Sequence, residues 1–158
     1  MKLVSISSER DRIVSLFDLL DRESGKVDIL AASTFGQFMA VKSGGFVETS
    51  VQQTMYEYAK RKSDTQIASY VLKQATYLNS LNCEKISKFL EPFNKDWWNE
   101  IAGHCPRTAL ESIDSLKNVR DDVAHGKHNG TGLRIVRGYF DDAVKFSTAL
   151  QNVVLRGP

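Results

Sequence analysis

Residues that mark secreted, membrane-spanning or loop-rich proteins are scarce in this sequence. The chain of 158 residues has two cysteines, three prolines and no apolar run longer than four residues. Two cysteines exclude a disulfide framework and, by themselves, a four-ligand zinc site. The apolar runs are far shorter than the roughly 20 residues of a transmembrane helix, and charged residues interrupt the segment where a signal peptide has its apolar core. We therefore expect a cytoplasmic protein with no membrane contact.

Strand signals are also scarce, since no segment alternates apolar and polar residues for long. Hydrophobic residues make up 42% of the chain and charged residues 25%, which is the balance of an ordinary globular protein. The length suits one domain, which we expect to span residues 1–158. Because apolar residues recur three and four apart in most segments, the sequence predicts an all-α bundle.

This spacing predicts six helices. The first starts near Ser8 or Asp11, and the second is long, from about residue 28 to 62. Gly44 and Gly45 lie in the middle of this second helix, where they either split or kink it or let another helix pack closely. The sequence predicts a connecting segment for residues 92–106, which contain two tryptophans and begin and end with proline. The other predicted helices cover residues 65–78, 84–90, 107–125 and 133–154.

The basic residues are unevenly distributed, although the net charge is only +2. A charge this small is much weaker than that of a dedicated nucleic-acid-binding protein. Residues 117–137, however, hold five basic and two acidic residues, a local charge of +3, together with two of the three histidines. Such a window is either a solvated loop and helix surface or a surface that attracts an anionic partner.

Two residues at the end of the helix over residues 107–125 are candidates for function. At 100° per residue, Arg120 projects from the middle of an apolar face, whereas Asp121 is predicted to point away from it. An arginine there is costly unless it is paired, lines a wet interface or extends its guanidinium to the edge of the core. His125 follows where the helix ends, and it is either a functional group or a residue that binds free carbonyls at the helix terminus.

Arg120 and His125 form an Arg-x4-His motif with a polar residue directly after the arginine. At a helix end, in a basic window and before a glycine-rich turn, this motif resembles that of the HEPN superfamily (higher eukaryote and prokaryote nucleotide-binding). The chain is most similar to the RiboL-PSP-HEPN branch of stand-alone bacterial proteins. In the family the residue after the arginine is often asparagine, whereas here it is Asp121, whose negative charge opposes phosphate. Pattern-level similarity covers most of the chain from about residue 10, notably residues 44–48, 57–61, 83–93 and 120–126.

The resemblance implies an HEPN-like bundle that acts as a metal-independent endoribonuclease without a cofactor. In this reaction the ribose 2′-hydroxyl attacks its own 3′-phosphate, which requires a base, an acid and positive charge at the transition state. Histidine suits proton transfer near neutral pH, and arginine binds phosphate oxygens with a planar fork of donors. In the family, two motifs meet across a two-fold dimer interface. We therefore expect a homodimer through the helix face that carries Ile113, Leu116 and Arg120.

Other residues are candidates for supporting roles. Glu48, on the long second helix, is either a carboxylate that orients Arg120 or His125 or an ordinary surface glutamate. Asp121 is the polar residue of the motif. The candidates for binding the RNA backbone lie in the basic window. For two of them, Lys127 and His128, the alternative interpretation is that they only cover the loop surface. The four candidates are Lys117, Lys127, His128 and Arg134.

Two further features have competing interpretations. His104 and Cys105 resemble half of a metal site but lack a second pair with ligand spacing, so we expect no bound metal. Trp97 and Trp98 either stack on bases or anchor their connecting segment to the core, which is the commoner role of such tryptophans.

The sequence thus supports two hypotheses. The first is an endoribonuclease that cleaves RNA as the toxin or effector of a toxin–antitoxin or antiphage defence system, with an antitoxin or immunity protein as its partner. The second is a non-catalytic HEPN module that dimerises and binds RNA, a nucleotide or a partner protein. The Arg-x4-His motif favours the first hypothesis, whereas Asp121 and the modest net charge favour the second.

Overall fold

The computed structural model describes residues 4–157, which contain helices and no strand. This confirms the predicted all-α bundle. The first helix begins earlier than predicted because Ser5 caps it by accepting the N–H of Ser8 at 3.1 Å. No helix in this part of the chain is both long enough and apolar enough to cross a membrane. The helices are α1 (Ile6–Ser24), α2 (Ile29–Lys62), α3 (Thr65–Thr76), α4 (Cys83–Leu90), α5 (Trp97–His104), α6 (Arg107–Ala124) and α7 (Leu133–Val154).

Helix α2 is continuous through Gly44 and Gly45. Asp28 caps its N-terminus by accepting the N–H of Ala31 at 2.8 Å, and the helix then extends for 34 residues, about 50 Å at 1.5 Å per residue. Each interior glycine costs roughly 1 kcal/mol relative to alanine. Because α2 packs against α1, α3, α6 and α7, tertiary contacts offset this cost. The other helices and the candidate site are therefore arranged around α2.

Buried aromatic side chains hold α1 and α7 against α2. The ring centroid of Phe140 on α7 lies 5.5 Å from that of Phe17 on α1 and 5.3 Å from that of Phe46 on α2. At the surface, Arg137 of α7 donates to Asp18 of α1 at 2.7 Å, which ties the same two helices. One arginine of the basic window is therefore used for helix packing.

The prediction of a connecting segment over residues 92–106 is wrong in part, because Trp97–His104 form α5. This helix has only two turns, and a single turn separates its two buried residues, so its periodicity is too short to distinguish it from a loop. Trp97 packs edge-on against Tyr58 of α2, with ring centroids 4.9 Å apart. Trp98 packs on a buried phenylalanine of α7 at 6.4 Å. Both tryptophans anchor α5 to the core, as one of their two interpretations requires.

The loop between α6 and α7 lies against α2. Helix α6 ends in a Schellman motif, in which Gly126 has a φ of +68° and the N–H of Lys127 donates to the carbonyl of Asp122 at 2.8 Å. Further along the loop, a Cβ on Gly36 of α2 would lie 2.5 Å from the carbonyl oxygen of Thr131, so only glycine permits this close approach. The end of α6 is thereby fixed beside the N-terminal half of α2.

Candidate active site

Arg120 lies where α6 packs against α2, and its charge is paired. Its Nη1 donates to a carboxylate oxygen of Glu48, and the side chains of Arg120 and Glu48 are 27% and 16% exposed. Arg120 extends over Gly44, where a Cβ would lie 3.6 Å from its Cδ and 3.8 Å from its Nη1. The described residues accept no other hydrogen bond from Arg120, which leaves the Nε and Nη2 donors available to a ligand. Glu48 is thus in contact with Arg120, as one of its two interpretations requires.

Ser80, which no sequence pattern indicates as functional, joins the two carboxylates beside Arg120. It lies in the loop between α3 and α4. Its N–H donates to Glu48 at 2.8 Å, and its Oγ donates to Asp121 at 2.6 Å. Its φ is +50°, a left-handed conformation that costs roughly 1–2 kcal/mol for a residue with a Cβ. The contacts with α2 and α6 stabilise this strained conformation, and Ser80 therefore links the two helices at the site.

Asp121 lies off the buried face of α6 and turns toward the α3–α4 loop. It accepts the hydroxyl of Ser80 and is paired with Lys117, one turn earlier on α6. The periodicity of α6 gives no sign of this contact, because the loop that holds Ser80 comes from a distant part of the sequence. The hydrogen bonds from Lys117 and Ser80 hold the pKa of Asp121 below its ordinary value. Asp121 is therefore ionised at neutral pH, and its partner Lys117 is already engaged.

His125 is held at the end of α6 by its backbone alone. It is the C-cap residue, with φ −91° and ψ 10°, and its N–H donates to the carbonyl of Asp121 at 2.9 Å. The imidazole is exposed, and within residues 4–157 it does not bind the free carbonyls of α6. The helix end is instead closed by the backbone around Gly126. The ring of His125 is therefore available to a substrate or to a second chain.

The face of α6 that was predicted to form the dimer interface belongs to the core. Ile113 and Leu116 are each 1% exposed, because this face packs against α2 and α7. Arg120, at the edge of the same face, reaches the surface near the end of α6. The prediction was wrong because an apolar stripe on a single helix does not distinguish a protein core from an interface.

An exposed apolar surface lies instead on the N-terminal half of α2. Leu30, Phe38 and Val41 are 71%, 46% and 37% exposed, although their spacing is typical of core residues. We call these three residues the apolar face of α2. At 100° per residue, all three lie within about 80° of the direction of Glu48. This face therefore continues along α2 to the ion pair that Glu48 forms with Arg120.

Three of the four predicted RNA-binding residues lie at the surface. Lys127, His128 and Arg134 are exposed in and after the α6–α7 loop. The fourth, Lys117, is half-buried in its ion pair with Asp121. The basic window thus presents an exposed positive surface only at its C-terminal part.

His104 and Cys105 do not form half of a metal site. The thiol of Cys105 is buried and donates to the carbonyl of Ile101 at 3.2 Å, and burial raises its pKa. His104, in contrast, is exposed at the end of α5. Across residues 4–157, no three His, Cys, Asp or Glu side chains are grouped so that they could hold a metal ion.

One comparison with known proteins extends over both the helical bundle and the candidate site. The family model described as RiboL-PSP-HEPN matches residues 5–156, a range that includes Arg120, His125 and the apolar face of α2. No curated protein and no solved structure matches the chain.

Proposed function

Because the chain belongs to the RiboL-PSP-HEPN family, we propose that it is a metal-independent endoribonuclease in which two Arg-x4-His motifs act together. HEPN domains are RNase-like or nucleotide-binding modules. One observation carries the choice of a nuclease. Arg120 is held half-buried by Glu48 with donors still available, and the exposed imidazole of His125 follows at the end of the same helix.

The proposed reaction assigns a separate task to each group. Nε and Nη2 of Arg120 bind the scissile phosphate and stabilise the negative charge that develops on its oxygens. The 2′-oxygen attacks phosphorus, its proton passes to one histidine, and the bond to the 5′-oxygen breaks. A protonated histidine donates to that leaving oxygen. The products are a 2′,3′-cyclic phosphate and a 5′-hydroxyl, and no water or metal enters the step.

A single chain supplies one arginine and one histidine, whereas the reaction uses both a base and an acid. We propose that a second copy docks on the apolar face of α2 and brings its own motif to the same cleft. Leu30, Phe38 and Val41 favour this surface because they are exposed and apolar, and such a patch on a monomer marks an interaction site. A two-fold axis beside this patch would bring the two His125 residues together.

The proposed biological role is that of a toxin or effector in a toxin–antitoxin or antiphage defence system, as is common for stand-alone members of the family. RNA is then the substrate, and an antitoxin or immunity protein is the partner that restrains the activity. The exposed residues Lys127, His128 and Arg134 would hold the RNA backbone through its phosphates.

The test is cleavage of total RNA by the purified protein in excess EDTA, followed by analysis of the product ends. We expect cleavage to persist in EDTA and to leave 2′,3′-cyclic phosphates. His104→Ala, which removes an exposed imidazole at the end of α5, is the matched control for His125→Ala and should keep the activity. Products with 3′-hydroxyl ends, or activity that is lost in EDTA, would contradict the mechanism.

A second candidate function is a non-catalytic module that dimerises and binds RNA, a nucleotide or a protein. It is favoured by the two carboxylates of Glu48 and Asp121, which lie beside Arg120 and oppose the approach of a phosphate. The same RNA experiment separates the two functions, because this module would bind RNA, a nucleotide or a protein while leaving all RNA intact.

A further inference from the structure

A groove between the end of α3 and one face of α4 lies beside the candidate active site. Its volume is about 370 Å³, and its lining contains no carboxylate. The lining is mainly apolar and includes two aromatic rings and two lysines. The lining residues are Tyr77, Leu78, Asn79, Lys85, Lys88 and Phe89.

Hydrogen bonds connect this groove to Arg120. Asn79 lines the groove and directly precedes Ser80, whose N–H donates to the carboxylate that binds Arg120. Lys85 donates to the carbonyl oxygens of Asn79 and Ser80, at 3.2 Å each, which fixes the loop against α4. Because one residue spans at most about 3.6 Å, the groove begins within about 10 Å of the Arg120 guanidinium. This separation suits a nucleotide next to a phosphate bound by Arg120.

The chemistry of the lining matches an unpaired nucleotide. Tyr77 is 66% exposed, and its backbone N–H donates to the carbonyl of Gln74 at 3.2 Å, so an ordered backbone presents an accessible ring for stacking. The amide of Asn79 offers both a donor and acceptors to the edge of a base. Lys85 supplies positive charge for a flanking phosphate from beside the two loop carbonyls that it binds, whereas the ammonium of Lys88 is paired with Glu84 at 2.6 Å.

We propose that this groove binds an unpaired RNA nucleotide adjacent to the scissile phosphate, with the base stacked on Tyr77. This inference rests on the proposed function, since it names a subsite of the same RNA substrate. It also predicts a preference for single-stranded RNA, because a paired base cannot leave its duplex to stack on the tyrosine without losing its partner.

The test measures binding separately from cleavage. The His125→Ala variant is titrated with a fluorescent single-stranded RNA of about 10 nucleotides, and binding is followed by anisotropy. Adding Tyr77→Ala should weaken binding by about tenfold, whereas Tyr77→Phe, which keeps the ring, should bind normally. Tyr70→Ala is the matched control, because Tyr70 is a 62% exposed tyrosine of α3 that does not line the groove.

The inference is overturned if Tyr77→Ala binds the RNA as tightly as Tyr70→Ala does, if a duplex of the same sequence binds equally well, or if no RNA binds. Cleavage by the chain with an intact motif then distinguishes this failure from failure of the proposed function. If that protein cleaves RNA but Tyr77→Ala has no effect on binding, only the groove assignment fails. If RNA binds through Tyr77 but is never cleaved, the nuclease proposal fails and the groove assignment stands.

Discussion

Arg120 and His125 lie five residues apart at the end of one helix, yet the fold holds them in opposite ways. Arg120 is half-buried, with its guanidinium bound by Glu48 and its stem over Gly44. His125 has an ordered backbone in the helix cap but an exposed imidazole without a hydrogen-bond partner in residues 4–157.

This difference indicates how the proposed site is assembled. A phosphate-binding group benefits from a fixed orientation before the substrate arrives, because no reorganisation is then needed during the reaction. The single chain provides this for Arg120 through contacts with α2. The described residues give the His125 side chain no such hydrogen bond, so in the proposed mechanism its orientation comes from the substrate or from a second copy. Substitutions at the two positions should therefore differ in their effects on stability and activity.

The largest expected effect is the loss of activity in His125→Ala. Removing a group that transfers protons should lower kcat/KM by about 10²–10⁴-fold, while the melting temperature changes little because the imidazole is exposed. In bacteria, expression of the unsubstituted protein should slow growth, and His125→Ala should relieve this effect. Cleavage assays, thermal melts and growth curves measure the three quantities. Equal toxicity of the two proteins at matched helical circular dichroism would refute the catalytic role.

A somewhat smaller loss is expected for Arg120→Lys, about 10²–10³-fold in kcat. Lysine keeps the charge that pairs with Glu48 but lacks the planar fork that binds two phosphate oxygens.

Arg120→Met should lower stability, unlike any change at His125, because it leaves the half-buried carboxylate of Glu48 without its cationic partner. We expect Arg120→Met to lower the free energy of unfolding by about 1–3 kcal/mol, measured by urea denaturation. An unchanged stability would show that Arg120 contributes no ion pair that matters to the fold.

The sequence predicts the helices well where their periodicity is long. The bounds of α7 agree with the prediction, and those of α2 and α6 differ from it by no more than one residue at either end. The short helix α5 was missed because two turns give too little periodicity for a prediction, and its packing on Tyr58 is a tertiary contact. The exposure of Leu30 and Phe38 was not predicted, because helical spacing shows which residues share a face but not whether another part of the chain covers that face.

The candidate site could be predicted only for the residues that one helix presents. Arg120 and His125 follow from the spacing in α6, and Glu48 follows from the resemblance and the long second helix. Ser80 carries no such signal, because a serine in a polar loop is common and its left-handed backbone is imposed by α2 and α6. The contact of Asp121 with Ser80 depends on the same loop, so it could not be predicted from α6 alone.

Substitution on the apolar face of α2 tests whether His125 depends on a second chain. Phe38→Glu should weaken a dimer by about tenfold or more, because burying a phenylalanine contributes roughly 1.5–3 kcal/mol and a carboxylate opposes burial. Activity should fall in parallel and recover at high protein concentration, while the stability of each chain is unchanged. Ile67→Glu, at an exposed isoleucine of α3, is the matched control. Light scattering that shows a monomer for the unsubstituted protein would refute this dimer.

The smallest effects are expected at Ser80, which acts on Arg120 through Glu48. Ser80→Gly suits the φ of +50° and keeps the N–H that binds Glu48, whereas Ser80→Ala keeps the strain; both lose the hydroxyl. The glycine variant should therefore be more stable than the alanine variant by about 1 kcal/mol.

In both variants, the pKa of Asp121 should rise, because one of the hydrogen bonds that lower it is removed. A lowered carboxyl pKa stabilises the fold above the pKa of the unfolded chain, and this stabilisation is lost as pH falls through the lower, folded-state value. The two variants should accordingly lose less stability than the parent between neutral and acidic pH. NMR titration of the Asp121 carboxyl and urea denaturation at several pH values measure these changes, with Ser69→Gly on the exposed surface of α3 as the control. An Asp121 pKa that is unchanged in both variants would show that the Ser80 hydroxyl does not act on the site.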